Sequence, residues 1–236
     1  MTDSVTSRPP RDRANPGGFK AILFDWDGTV LANSLHLKIQ NAGRLFSRSY
    51  QVTADSVEAS YRRHSGIPRR SLFDRISADC MGRALAEEEF EGLSRAFTAA
   101  NLESVATKSR LRPEARASLE ALLHRRCLLF VSTSASQDEV ARLARHFDVD
   151  RLFTAILGSA PEFTKGPEHA AHVIATYDLD PRDLAAVGDE SNDIRLQLEA
   201  GITAVGITGT EDRGALLAAG AHFVIDDLTE LVPYVA

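Results

Sequence analysis

The chain has 236 residues, 44% of them hydrophobic, and a formal charge of −6 at pH 7. That is enough apolar material for a real core, as one domain with an insertion or as two small domains. The acidic balance argues against a nucleic-acid surface, which needs a basic patch. No apolar run approaches the length of a membrane span. Cys80 and Cys127 stand far apart, with no Cys-x-x-Cys pair. They read as small buried apolar side chains in a reducing, cytoplasmic setting. Residues 1–18 mix Arg, Asp, Pro, Ser and Gly without an apolar period. They read as a disordered tail and lack the apolar stretch of a secretory signal.

The first strong element is Ala21-Ile22-Leu23-Phe24, a short apolar run expected to form a buried parallel strand. Asp25, Trp26, Asp27, Gly28 and Thr29 follow at its end. Asn33 or Ser34 is a suitable helix N-cap, and Leu35, Ile39, Ala42 and Phe46 recur at helical spacing behind it. A second helix is expected from Ala54 to His64, broken by Ser65-Gly66-Ile67-Pro68. Pro68 can open a third, through Cys80. Ala86, Phe90, Leu93, Phe97 and Ala100 mark a fourth. Residues 35–106 thus read as an inserted helical block. The core is then expected over 19–34 and 107–236.

Alternation resumes at Pro113, read as the first residue of a helix running to Arg126. Cys127–Val131 is a second buried strand, ending at Ser132-Thr133. Ser136 to Glu139 fits a capping box ahead of Val140, Leu143, Ala144 and Phe147. A strand over Phe153–Leu157 leads to Lys165 and a helix opened by Pro167. His169 and His172 lie on that helix and read as surface histidines, since no acid or cysteine accompanies them to complete a metal site. Leu184–Val187 is a strand that ends in Gly188-Asp189-Glu190-Ser191-Asn192-Asp193, and Gly201 closes the next helix. Ile202–Val205, a helix near Gly214–Ala219 and Phe223–Ile225 complete the pattern. Strands alternating with helices imply a Rossmann-like parallel sheet covered on both faces.

Three polar groups therefore stand at the ends of three strands: Asp25 with Asp27, Ser132, and Asp189 with Asp193. In a parallel sheet these ends share one rim. A carboxylate there can attack phosphorus and form an aspartyl-phosphate. A second acid can protonate the leaving oxygen and later activate water. A hydroxyl and a lysine can hold the remaining phosphate oxygens. Clustered carboxylates repel one another and resist burial, and a cation relieves this. Mg²⁺ suits an all-oxygen ligand set.

With these pieces in this order, the sequence resembles the haloacid dehalogenase superfamily, in its Mg²⁺-dependent phosphatase branch. The motifs that carry the resemblance are Asp25-Trp26-Asp27-Gly28-Thr29, the strand ending at Ser132, Lys165, and Gly188 to Asp193. The likeness covers the chain from Phe19 onward and is nearest to phosphoglycolate-phosphatase-like members with a small helical cap, here residues 35–106. It implies that Asp25 is the nucleophile and Asp27 the general acid and base. Asp25, Asp189 and the backbone carbonyl of Asp27 would bind Mg²⁺. Ser132 and Lys165 would hold the phosphoryl group. Gly28 would permit the turn and Thr29 hydrogen-bond within it. Asp193 would orient the site from behind, with Glu190 a weaker candidate; Asp193 also fits a first-turn acid facing the helix dipole. Arg69 or Arg70, on a cap loop, would reach the leaving group or else form a solvated basic face. An aspartate at position 27 favours phosphoryl transfer over dehalogenation, because halide leaves without a proton.

The chain departs from many relatives at Asn33, where they carry Asp, and at Thr133, where they carry Asn. The second departure leaves the substrate open. The expected function is hydrolysis of a small phosphorylated metabolite, phosphoglycolate-like or a sugar phosphate, by a monomer or homodimer with no nucleic-acid or membrane partner. The alternatives are a sugar phosphomutase of the same fold and a non-catalytic phosphate-ligand-binding protein. A carbon–phosphorus cleaving enzyme would need an imine-forming cap lysine, for which Lys38 is the main candidate.

Overall fold

A computed structural model describes residues 18–235. The tail expected over 1–18 lies, but for Gly18, outside them. Six strands form one sheet: β1 (Ala21–Phe24), β4 (Leu128–Ser136), β5 (Ala155–Ser159), β6 (Leu184–Gly188), β7 (Thr203–Ile207) and β8 (Phe223–Ile225). Their order is β5-β4-β1-β6-β7-β8, every pair parallel. All four residues of β1 are buried, as a central strand with both faces covered requires. The core helices are α5 (Ala115–His124), α6 (Gln137–His146), α7 (Pro167–Tyr177), α8 (Ser191–Glu199) and α9 (Arg213–Ala218). Side chains of β1 alternate between the two layers. Ile22 and Phe24 pack with Leu119 and Leu122 of α5 and Val140 and Leu143 of α6. Ala21 and Leu23 pack with Ala170 and Val173 of α7.

Register places the chemistry. Phe24 pairs with Val131 on one side and Val187 on the other. The next residues in each strand, Asp25, Ser132 and Gly188, therefore stand level at one rim.

Between β1 and α5 lie four helices: α1 (Ser34–Ser49), α2 (Ala54–Arg63), α3 (Arg69–Met81) and α4 (Glu87–Lys108). They enclose an apolar cluster of their own that includes Ile39, Phe46, Val57, Phe73, Ile76 and Phe97. The Phe73 ring meets Phe46 and Phe97 edge-on, with centroids 5.3 and 5.2 Å apart. This insert forms a helical cap over the sheet rim. The chain leaves and re-enters the core through an antiparallel ribbon of β2 (Leu31–Ala32) and β3 (Arg110–Leu111).

Local departures from expectation have local causes. Two-residue strands are too short to show a period, so the ribbon is invisible in the sequence. Pro68 caps α3 from outside, and Pro113 precedes α5. At the N-cap of α1, Asn33 takes a left-handed backbone, φ 61°, with no side-chain cap bond. Asn tolerates that region without acting as the expected cap. A final 3₁₀ segment, Leu228–Tyr234, packs Leu228 and Leu231 into the main core. Among the described residues no helix is long and apolar enough to cross a membrane.

Candidate active site

Asp25 extends the ladder past β1, its N–H donating to the Val187 carbonyl (2.9 Å). The residue is 8% exposed. Lys165 Nζ donates to Asp25 Oδ1 and to Asp193 Oδ1, each at 2.6 Å. The other oxygen of Asp193 accepts from the backbone N–H groups of Asp189 (3.1 Å) and Glu190 (3.2 Å). Asp193 thus ties Lys165 to the N-terminus of α8 with both oxygens occupied. Burial pushes the Asp25 carboxyl well above the usual carboxylate range; Lys165 opposes this, and Asp193, Asp189 and Asp27 add to it. Burial alone would drive Lys165 toward neutrality, but Asp193 and Asp25 outweigh it and keep the ammonium charged.

The turn after Asp25 is built around Asp189. Gly28 donates to the Leu31 carbonyl (2.8 Å), and Thr29 Oγ1 donates to Asp189 Oδ1 (2.8 Å). Trp26 is fully buried in the main core, as packing requires. Asp189 is fully buried, and its Oδ2 has no hydrogen-bond partner. Burial and then Asp193 push its carboxyl up to about 7. Asp25, Asp189 and Asp193 offer oxygens that lie within 4.8 Å of one another. Buried, all-oxygen, partly unpartnered donors fit a hard divalent cation such as Mg²⁺. Asp193 joins this geometric trio, and the Asp27 carboxylate does not. Because Asp193 already accepts three hydrogen bonds, Asp25 and Asp189 are the side chains with lone pairs to spare.

The Asp27 carboxylate faces the cap instead. Lys38 Nζ of α1 lies 2.5 Å from its Oδ2 and 2.9 Å from Glu139 of α6. Glu139 is fully buried and also meets Arg69 (2.5 Å) and Asn101 (3.2 Å). Arg69 further donates to Thr98 (2.6 Å) and lies over the Phe97 ring. Arg70 stands apart from the site, held by Asp74 (2.9 Å) and Glu87 (2.6 Å). Glu139 does not serve the capping box expected of it, and Ser136 makes no side-chain cap bond. Both Lys38 and Glu139 had a signal in the sequence. Lys38 shares the apolar stripe of Leu35 and Ala42, and Glu139 lies one turn before Leu143 on that of α6. A charge on an apolar face needs a buried partner.

A narrow cavity of ≈ 60 Å³ lies between rim and cap, with Asp25, Asp27, Lys38, Arg69, Thr133 and Lys165 in its wall. Cap and core also touch where Ser65 donates to Glu190 (2.9 Å) and Ser134 to the Gly66 carbonyl (2.9 Å). Burial and Asp193 push Glu190 up to about 8. Thr133 accepts from the Ala135 N–H (3.2 Å).

Ser132 Oγ lies 2.9 Å from Nδ1 of His169. His169 is fully buried, contrary to the expected surface position, whereas His172 is exposed. The apolar face of α7 begins at His169, one turn before Val173. Burial, and then the Lys165 charge, lower the His169 pKa from 6.5 to about 4. The unfolded chain therefore takes up a proton near pH 6.5 that the folded chain refuses until near pH 4. Stability is full above the first value and falls between the two, by about 3 kcal/mol in total. His169→Gln should flatten the urea midpoint against pH over that window. An unchanged slope would assign the acid sensitivity elsewhere.

The haloacid dehalogenase-like hydrolase family matches residues 22–207. The chain is 29% identical to a phosphoglycolate phosphatase of Mannheimia succiniciproducens over 222 residues, 92% of this chain and 98% of the relative. It is also 29% identical to a phosphoglycolate phosphatase of Pasteurella multocida, covering 91% and 97% of the two chains. A crystal structure described as a predicted phosphoglycolate phosphatase from Haemophilus somnus 129pt superimposes with a TM-score of 0.76 at 27% identity, covering 91% of this chain and 97% of that one. The family match takes in Asp25, Lys165 and Asp189 and spans well over half of the sequence, so the chain belongs to the haloacid dehalogenase-like hydrolases.

Proposed function

We propose that the protein is a Mg²⁺-dependent phosphatase that hydrolyses a small phosphomonoester through an aspartyl-phosphate on Asp25. The observation that carries this reading is the placement of Asp25. It is buried at the sheet rim, paired with Lys165, and shares one small cavity with a second acid, Asp27. An Asp25 oxygen attacks phosphorus, and the bond from phosphorus to the leaving oxygen breaks. Protonated Asp27 gives its proton to that oxygen. Asp27, now a carboxylate, takes a proton from water as the water oxygen attacks phosphorus. The bond from phosphorus to the Asp25 oxygen breaks, phosphate departs and both acids return to their starting states. Lys165 and the Ser132 hydroxyl hold the non-bridging oxygens. Asp25, Asp189 and the Asp27 backbone carbonyl would hold Mg²⁺, which when bound neutralises phosphoryl charge so that an anionic nucleophile can approach an anionic substrate. Asp193 orients Lys165 from behind.

The named relatives support a substrate of phosphoglycolate size, and the small cavity agrees with that scale. Asp27 and Glu139 hold Lys38 charged despite its burial. An imine-forming lysine must be neutral, so this favours ester hydrolysis over carbon–phosphorus cleavage. Purified protein should release phosphate from one class in a panel of phosphoglycolate, sugar phosphates, nucleotides and phosphoamino acids. Release should stop with EDTA and return with Mg²⁺. Silence from folded protein across the panel would overturn the reading, and turnover only with a bisphosphate sugar, without free phosphate, would replace it with a mutase.

A further inference from the structure

Lys38 belongs to the cap, yet both carboxylates it binds belong to the core. It is 3% exposed and bridges Asp27 Oδ2 (2.5 Å) and Glu139 Oε1 (2.9 Å). Glu139 in turn is fixed by Arg69 of α3 and Asn101 of α4. Asn101 is itself joined to α1 through Asn41 (2.8 Å). Three cap helices therefore converge on one buried core carboxylate. An ammonium held this way cannot wander, and neither can the carboxylate on its other side. The Asp27 side chain lines the cavity, and its second oxygen, Oδ1, is buried with no partner. A buried carboxylate oxygen without a partner is costly unless a ligand supplies one.

We propose that Lys38, anchored by Glu139, is a positioning residue for Asp27: it takes Oδ2 and leaves Oδ1 aimed at the leaving oxygen of the substrate. This rests on the reading of Asp27 as the acid of a phosphatase. Proton transfer in the transition state requires one defined oxygen within hydrogen-bond reach. With Oδ2 occupied by Lys38, only Oδ1 can deliver the proton. The cap thus contributes to the chemistry through its first helix as well as enclosing the site.

The test is kcat/KM for a series of phosphate monoesters of rising leaving-group pKa, from 2,4-dinitrophenyl through p-nitrophenyl to alkyl phosphate. This ratio reports steps up to phosphoenzyme formation. A dinitrophenolate departs without a proton, whereas an alkoxide cannot. Lys38→Met should lose less than about 5-fold on the nitrophenyl esters and about 100-fold on the alkyl ester, the span of general acid catalysis. Glu139→Gln keeps the lysine and loosens its anchor, and should show a shallower slope of the same sign, reaching about 10-fold on the alkyl ester. It also serves if Lys38→Met does not fold. Equal losses across the series in both variants would make Lys38 structural and overturn the proposal. Asp27→Asn separates the two levels. A steep series for Asp27→Asn with flat ones for Lys38→Met and Glu139→Gln removes the proposal alone; a flat Asp27→Asn series removes the acid role and the proposal with it.

Discussion

Asp25→Asn is expected to lower phosphate release by on the order of 10⁴-fold or more, because the amide oxygen of Asn is a poor nucleophile. The substitution keeps the shape of the side chain and the oxygen that accepts from Lys165. It also removes one of four acids that press on each other: Asp25, Asp27, Asp189 and Asp193. The sign of the stability effect follows from the raised pKa of Asp25. A carboxyl harder to ionise in the folded than in the unfolded chain costs stability once pH exceeds the ordinary value of 3.8. In metal-free buffer at pH 7 the variant should therefore melt at or above the wild-type temperature while inactive. Retained turnover would remove Asp25 as nucleophile. A lower melting temperature with lost activity would show that Asp25 supports the fold through Lys165.

Gly28→Ala should have the largest effect on stability for the smallest change in mass. Gly28 sits at φ +87°, where a side chain is strained. An added Cβ would also lie 2.0 Å from Asp189 Oδ2. Left-handed strain and overpacking together predict a loss of about 2–5 kcal/mol, read from urea denaturation. The collision falls on a proposed metal ligand, so the same variant should need more Mg²⁺ for half-maximal activity. A loss under about 1 kcal/mol would mean that the turn and Asp189 move apart easily. The rim would then be softer than its hydrogen bonds imply.

The sheet was legible because its strands are short apolar runs with acids or hydroxyls at their ends. Phe24-Asp25, Val131-Ser132 and Val187-Gly188-Asp189 mark the rim directly, and parallel register does the rest. Asp193 was ambiguous in the sequence because it faces two ways. It binds the N-terminal amides of α8 as a helix-dipole acid does, and it also grips Lys165. Local pattern misleads in three places. Arg69 and Arg70 are adjacent, so only the direction of α3 separates the one that lines the cavity from the one held outside by Asp74 and Glu87. Glu139 matched a local capping pattern that tertiary ion pairs override. The lack of acidic or cysteine company points His169 to the surface, whereas its place one turn before Val173 buries it.

The β2–β3 ribbon has a consequence for how such a molecule can change. Ala32 and Arg110 are cross-strand partners, so the two ends of a 77-residue excursion meet at one strand spacing, about 4.8 Å. To the core, that excursion is topologically no more than a long hairpin loop. It can be exchanged as a cassette without altering Asp25, Ser132, Lys165 or Asp189. Two conditions are imposed on a replacement, the first being a donor for Asp27 Oδ2 in place of Lys38. Glu139 remains behind as a buried anion, so any new cassette must bring a cation to meet it.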